Sequence, residues 1–178
     1  HNCVSTISGN YVDNSFVELT NEHDSHPDSV NEYTFGGLTM TGNICVASNT
    51  ASAFHWLVIT PYGQDHAVRE LNVSGNVFRT YGNSIDRVEH IDTSYADIDR
   101  NLIRNVTFSG NVFNGINEPV RNPYSDIHNQ QSEASVWVVD TGTYLPFNGW
   151  TRTIESVIPQ QKITNAAGQE VYAMPYID

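Results

Sequence analysis

The sequence predicts an all-β fold: a right-handed parallel β-helix of about four coils, three strands per coil, with a β-rich C-terminal segment. Three observations predict it. A short pattern, an apolar residue followed by Ser or Thr, Gly and Asn, occurs as Ile7-Ser8-Gly9-Asn10, Met40-Thr41-Gly42-Asn43, Val73-Ser74-Gly75-Asn76 and Phe108-Ser109-Gly110-Asn111. Its glycines recur at spacings of 33 (9 to 42), 33 (42 to 75) and 35 residues (75 to 110), and a fixed period of that size marks a repeat architecture. The segments around each copy are short and rich in Val, Ile, Phe and Thr, which reads as strand and not helix.

The first strand of each coil precedes the pattern: Cys3 to Ile7, Gly37 to Met40, Glu70 to Val73 and Asn105 to Phe108. The second follows it: Tyr11-Val12, Ile44 to Val46, Val77-Phe78 and Val112-Phe113. The third comes later: Phe16 to Thr20, Phe54 to Thr60, Ile85 to Asp92 and Val136 to Asp140. Like strands of successive coils then lie about 4.8 Å apart. The pairs Gly9-Asn10, Gly42-Asn43, Gly75-Asn76 and Gly110-Asn111 make the corner between first and second strands. Glycine takes the bend without a Cβ clash, Asn tolerates left-handed backbone, and stacked asparagines bond their amides along the axis.

The run Asn72-Val73-Ser74-Gly75-Asn76-Val77-Phe78 and its echo Asn105-Val106-Thr107-Phe108-Ser109-Gly110-Asn111-Val112-Phe113 resemble the right-handed β-helix superfamily, the pectate-lyase-like fold. The resemblance spans roughly residues 1–140. Pectate lyases, polygalacturonases, alginate epimerases and viral tailspikes share such runs, so the resemblance implies a scaffold and not one activity. The Asn-Thr-Asp, Gly-Asp-Asp and Gly-His-Gly motifs of the pectinases are absent, as is the Tyr-Gly-Phe-Asp-Pro-His segment of the epimerases. No Ser/His/Asp signature, phosphate loop or zinc motif occurs. The sequons Asn72-Val73-Ser74 and Asn105-Val106-Thr107 fall on repeat strands and read as products of the repeat.

The solenoid section is expected over residues 1–140. Residues 141–178 read as a β-rich cap or the start of a second β domain, with a hairpin turn at Asn165-Ala166-Ala167-Gly168. Long excursions follow the third strand at Asn21 to Tyr33, Pro61 to Arg69 and Thr93 to Arg104; a fourth runs from Asn114 to Ala134. Repeat insertions gather on one face, often the binding face. Four coils span only about 15–20 Å. The first strand starts at Cys3 with no cap before it, so a section of a longer β-helix, or docking on a partner, is expected.

Formal charge is −12, and Lys162 is the sole lysine. A phosphate-tracking protein needs clustered basic residues, so nucleic acid and anionic membranes are not expected partners. No run of eighteen apolar residues occurs. A neutral glycan fits this charge, or an anionic one held through bound cations. Cys3 and Cys45 occupy different positions in the repeat and read as buried free thiols.

Third strands stack into one surface, which gathers Glu18, His55, Asp86, Arg87, Glu89, His90 and Asp92. Of these, Asp86, Glu89, Arg87 and His55 are the catalytic candidates. Two carboxylates would act as general acid and base on a glycosidic bond. The family resemblance adds an arginine that abstracts a proton beside a uronate. Asp86 and Glu89 have opposite parity, so both face outward only across a bulge. Tyr62, Tyr81, Tyr95 and Tyr124 sit in turns or loops and are the sugar-stacking candidates, whereas Trp56 and Trp137 read as core. The loop Glu22-His23-Asp24-Ser25-His26-Pro27-Asp28 is the densest set of possible metal ligands, but its spacing fixes no geometry. No metal site and no cofactor are predicted, with a divalent cation the one option.

The leading expectation is a structural, glycan-contacting module of a longer fibrous protein, such as a phage tail fibre, tailspike or secreted adhesin. It would be extracellular or on a virion surface. Its partners would be a polysaccharide or cell-surface glycan, and further sections of the chain or a homo-oligomer, a trimer among the options. The alternative is a polysaccharide-active enzyme, a lyase or glycoside hydrolase; an assembly domain without a glycan role is the third.

Overall fold

A computed structural model describes residues 4–29, 31–130 and 134–172. The chain is an all-β parallel solenoid with three sheets and almost no helix. The first sheet stacks β1 (Ser5–Ser8), β4 (Thr34–Thr41), β7 (Ala67–Ser74) and β10 (Ile103–Ser109). The second stacks β2 (Tyr11–Asp13), β5 (Ile44–Ser48), β8 (Val77–Tyr81) and β11 (Val112–Asn114). The third stacks β3 (Val17–Thr20), β6 (Leu57–Thr60) and β9 (Glu89–Ile91). Every pairing within the three sheets is parallel. Three coils are therefore complete and the fourth has two strands, which corrects the expectation of a fourth third-strand at Val136 to Asp140. The apolar run that suggested that strand is real, but no strand forms there, and Val136 and Val138 are exposed.

Inward positions form columns along the axis. Ile7, Met40, Val73 and Phe108 are register partners in the first sheet. Val12, Cys45, Phe78 and Phe113 are partners in the second. These columns meet Trp56, Ile59, Ile85 and Ile98 in one apolar core. Burial pushes the Cys45 thiol up to about 12, so it is an inert packing group. Cys3 lies outside the described residues.

The corner glycines take φ of 66°, 64°, 64° and 63°, left-handed values; a Cβ would stand in open space at Gly9, Gly42 and Gly75 and 3.9 Å from Gly75 N at Gly110. The asparagines beside them form the expected ladder. The backbone and side-chain amides of Asn43 both donate to Asn76 Oδ1 at 2.9 Å. Those of Asn76 donate to Asn111 Oδ1 at 2.9 and 3.0 Å, and those of Asn10 to Asn43 Oδ1 at 3.0 and 3.2 Å. Asn43 and Asn76 are fully buried. A stacked bulge in the first sheet was not expected: Gly37, Glu70 and Asn105 all take left-handed φ, between the register pairs on either side.

Residues up to Tyr124 together with Gly142–Trp150 form one compact unit. Within it, the last coil is closed over. Phe108 and Asn122 exchange backbone hydrogen bonds at 2.9 and 3.0 Å in an antiparallel bridge. Val120 is fully buried, and Phe147 packs edge-on against Phe108 at 6.2 Å. The first coil carries no such cover among the described residues: its inward Ile7, Val12 and Val17 are only half-buried. The second unit comprises Ser125–Thr141 and the described residues from Thr151 onward. It holds the expected hairpin, an antiparallel bridge between Thr164 and Glu170 closed by Gly168 N–H to Asn165 O at 2.9 Å. Trp137, expected in a core, is 44% exposed there.

Candidate functional site

The third sheet sorts its residues by parity. Leu57, Ile59, Glu89 and Ile91 turn inward and are buried, whereas Glu18, Val58 and His90 are register partners on the outward face. Phe16, Ala53, Phe54, His55, Val58, His90 and Asp92 line a shallow cleft of about 320 Å³ on that face. Two imidazoles dominate it: His55 and His90 lie stacked, 4.6 Å between centroids and 15° between planes. The register sets Val58, not His55, opposite His90, and His55 lies three residues before Val58, so the two rings meet diagonally between adjacent coils. Arg87 O lies 2.9 Å from His55 Nδ1. A carbonyl accepts, so Nδ1 carries the proton and Nε2 is left as the acceptor. Burial is the main cause that holds the His55 pKa below the ordinary value, and the nearby His90 adds to it.

The acids on this face are engaged locally. Thr60 Oγ1 donates to Glu18 Oε1 at 2.6 Å. Asp92 accepts from Ser94 Oγ at 2.5 Å and Ser94 N at 3.0 Å, bonds that hold its carboxyl below the usual range. Exposed Asp86 accepts from Asn117 Nδ2 at 3.0 Å.

Arg87 and Glu89, expected on the outward surface with Asp86 and His55, are inside, and this corrects that expectation. Glu89 is 1% and Arg87 9% exposed. Glu89 Oε1 accepts from Arg87 Nε at 3.0 Å and Arg87 Nη2 at 2.5 Å, and from Phe147 N at 2.9 Å. Arg87 also donates to Glu118 Oε2 at 3.1 Å, Leu145 O at 3.0 Å and Thr143 O. All its donor nitrogens are engaged, and Nη1 and Nη2 reach Thr143 O and Leu145 O to hold Gly142–Trp150 on the coil. Burial raises the Glu89 pKa while Arg87 opposes the shift, and Glu89 Oε2 has no partner among the described residues. The physical reason for the misplacement is that a charged residue was read as outward, whereas a distant segment supplies the partners that let this pair be buried.

Just past the third strands, Tyr62 and Tyr95 stack 4.1 Å apart and 19° from parallel. A hydrogen bond between their hydroxyls is the main cause that raises the Tyr62 pKa. Tyr62 is held from below: its N–H donates to Asn21 Oδ1 at 2.8 Å, and its carbonyl accepts from Asn21 Nδ2 at 2.9 Å and from buried His66 Nε2. Tyr62 is itself nearly covered, and Tyr95, 61% exposed, offers its ring to solvent. Tyr81 and Tyr124 do not join this group. Tyr81 ends β8 on the second sheet with Arg79 4.7 Å over its ring, and Tyr124 stacks on Tyr144 at 5.1 Å. The His23 and His26 loop borders a separate open hollow of about 500 Å³, and no group of three metal-ligating side chains occurs among the described residues.

Phe16 and Phe54 in the cleft, and Asn21 and His66 beneath Tyr62, were not singled out from sequence. Spacing does not announce these stacks: His55 to His90 spans 35 residues (90 − 55) and Tyr62 to Tyr95 spans 33 (95 − 62), whereas third-sheet partners on these coils lie 32 apart (Leu57 to Glu89). Fold and site together define a parallel β-solenoid with an aromatic and imidazole-bearing outer face. Comparison with protein-family models, curated proteins and solved structures gives no match.

Proposed function

We propose that this chain is a structural, glycan-contacting section of a fibrous β-helix protein of pectate-lyase-like descent, working outside the cell or on a virion surface. A tail fibre, tailspike or adhesin is the setting that suits it. The observation that carries the reading is the third sheet's outer face. It presents stacked flat rings, Tyr95 on Tyr62 and His90 on His55, and Phe16 and Phe54 line the cleft beside the imidazoles. Flat rings bind the apolar faces of sugars, and their stacking on a second ring fixes them in place before the ligand arrives. The burial of Arg87 and Glu89 favours contact over cleavage, because the arginine that a lyase needs is saturated and the second carboxylate is enclosed. With a net charge of −12 the suited ligand is a neutral polysaccharide, or an anionic one bridged by cations.

Retardation in native gels containing neutral or uronate polysaccharides tests this. At least one neutral polysaccharide is expected to retard the protein, and Tyr95→Ala to weaken that retardation about tenfold, about 1.4 kcal/mol. Equal retardation of both proteins removes the site from the reading; no retardation by any polysaccharide removes the reading. A second reading, a polysaccharide-active enzyme, is favoured by one observation: His55 is held neutral with Nε2 unprotonated, close to exposed Asp86, one of the charges acting on it.

A further inference from the structure

The outer face of the second sheet carries an apolar column. Tyr11, Ile44, Val77 and Val112 are register partners along β2, β5, β8 and β11. Their neighbours Val12, Cys45, Phe78 and Phe113 go to the core, so this column points to solvent. Tyr11 is 65%, Ile44 49% and Val112 57% exposed, and Val77 is half-buried. A single exposed apolar residue is ordinary, but four stacked about 4.8 Å apart form a continuous stripe. Two residues further along each strand, the register places Asp13 on the first coil, Val46 on the second, Arg79 on the third and Asn114 on the fourth. Asp13 and Arg79 are both exposed.

We propose that this face is a self-association surface on which a second copy lies antiparallel, related by a two-fold axis that runs along β5. Rotation about a line parallel to the strands preserves position along a strand and inverts the order of coils. The first coil then meets the third coil of the second copy, and the second coil meets itself. Ile44 faces Ile44, Tyr11 faces Val77, and Asp13 faces Arg79 twice, once on each side of the axis. The pattern is self-complementary, as a two-fold interface requires. A two-fold along the solenoid axis inverts position along the strand instead, and brings no acid opposite a base.

Two features select a second copy over an unrelated partner. The stripe repeats at the strand spacing, which another parallel solenoid matches residue for residue. Two copies carrying −12 each repel over most of their surface, and here an uncharged stripe is flanked by one charge of each sign. Such a contact would tie neighbouring fibres side by side, independently of the glycan face.

Light scattering across a concentration series, together with oxidation of an Ile44→Cys variant, tests the proposal. The wild-type chain is expected to reach the mass of a dimer, and Ile44→Cys to form a disulfide-linked dimer that wild type does not. Arg79→Asp should weaken association tenfold or more, and Asp13→Arg combined with Arg79→Asp should restore it. The restored double variant shows that the single variant lost a contact and not its fold. A wild-type chain that stays monomeric, undiminished association of Arg79→Asp, or no rescue by the charge swap would each overturn the proposal.

Discussion

At the scale of single residues, the corner asparagines show how much depends on one amide. Asn76 Oδ1 accepts two hydrogen bonds from Asn43, and its Nδ2 donates to Met40 O at 2.9 Å as well as to Asn111. Asn76→Ala leaves the buried Asn43 N–H and Met40 carbonyl without partners. Each such group costs about 1–3 kcal/mol, so the loss should be about 2–6 kcal/mol, read from the urea midpoint at unchanged m-value. Asn10 sits at the open end of the same ladder and is exposed, so water replaces its bonds. Asn10→Ala should cost under about 1 kcal/mol, and equal losses at the two positions would contradict the ladder. These corners were legible in sequence because Gly and Asn meet the same backbone demand in every coil. The stacked bulge was not, because Gly37, Glu70 and Asn105 meet their shared demand with three different residue types. Gly36, next to it, was equally silent: a Cβ there would stand 1.7 Å from Arg69 O, a contact no pattern in the chain announces.

At the scale of elements, the segment Gly142–Trp150 changes the meaning of the third strands. It supplies Thr143 O, Leu145 O and Phe147 N to Arg87 and Glu89, and Phe147 to the core end of β10. A buried ion pair rarely adds stability over an apolar pair of similar volume, yet removing one partner strands the other. Arg87→Ala should therefore cost about 3–5 kcal/mol, while Arg87→Met with Glu89→Leu should come close to wild type. Denaturant unfolding of the three variants reads this directly. A mild Arg87→Ala would mean that the segment is held by its apolar contacts alone. Parity had already separated Asp86 from Glu89, so half of the site's geometry was readable. Which of the two faced inward was not, because the answer depends on a segment more than fifty residues further along the chain. Likewise the repeat gathered His55 and His90 on one surface, but neither their stacking, nor that of Tyr62 on Tyr95, nor the lock that Asn21 and His66 put beneath Tyr62 was legible, because each depends on side-chain reach between rows.

At the scale of the whole molecule, the solenoid offers three different outer surfaces from one repeat. The third sheet bears the stacked rings, the second bears the apolar stripe with Asp13 and Arg79, and the first bears the rows Thr6, Thr39, Asn72, Thr107 and Ser8, Thr41, Ser74, Ser109. Among the described residues the first and fourth coils also differ, with the fourth closed by Val120, Asn122 and Phe147 and the first leaving its inward Ile7, Val12 and Val17 half-buried. A scaffold of this kind separates holding from contacting: the inward columns set the spacing and the outward columns are free to vary. On the proposed function, the third-sheet face contacts a glycan without cutting it. The direct measurement is to incubate the protein with each polysaccharide that retards it and to assay new reducing ends and unsaturated uronate. Retention with no product is the expected result, unchanged in Asp86→Asn and His55→Ala. Product that accumulates with wild type and disappears in either variant would contradict the claim and establish the enzyme reading in its place.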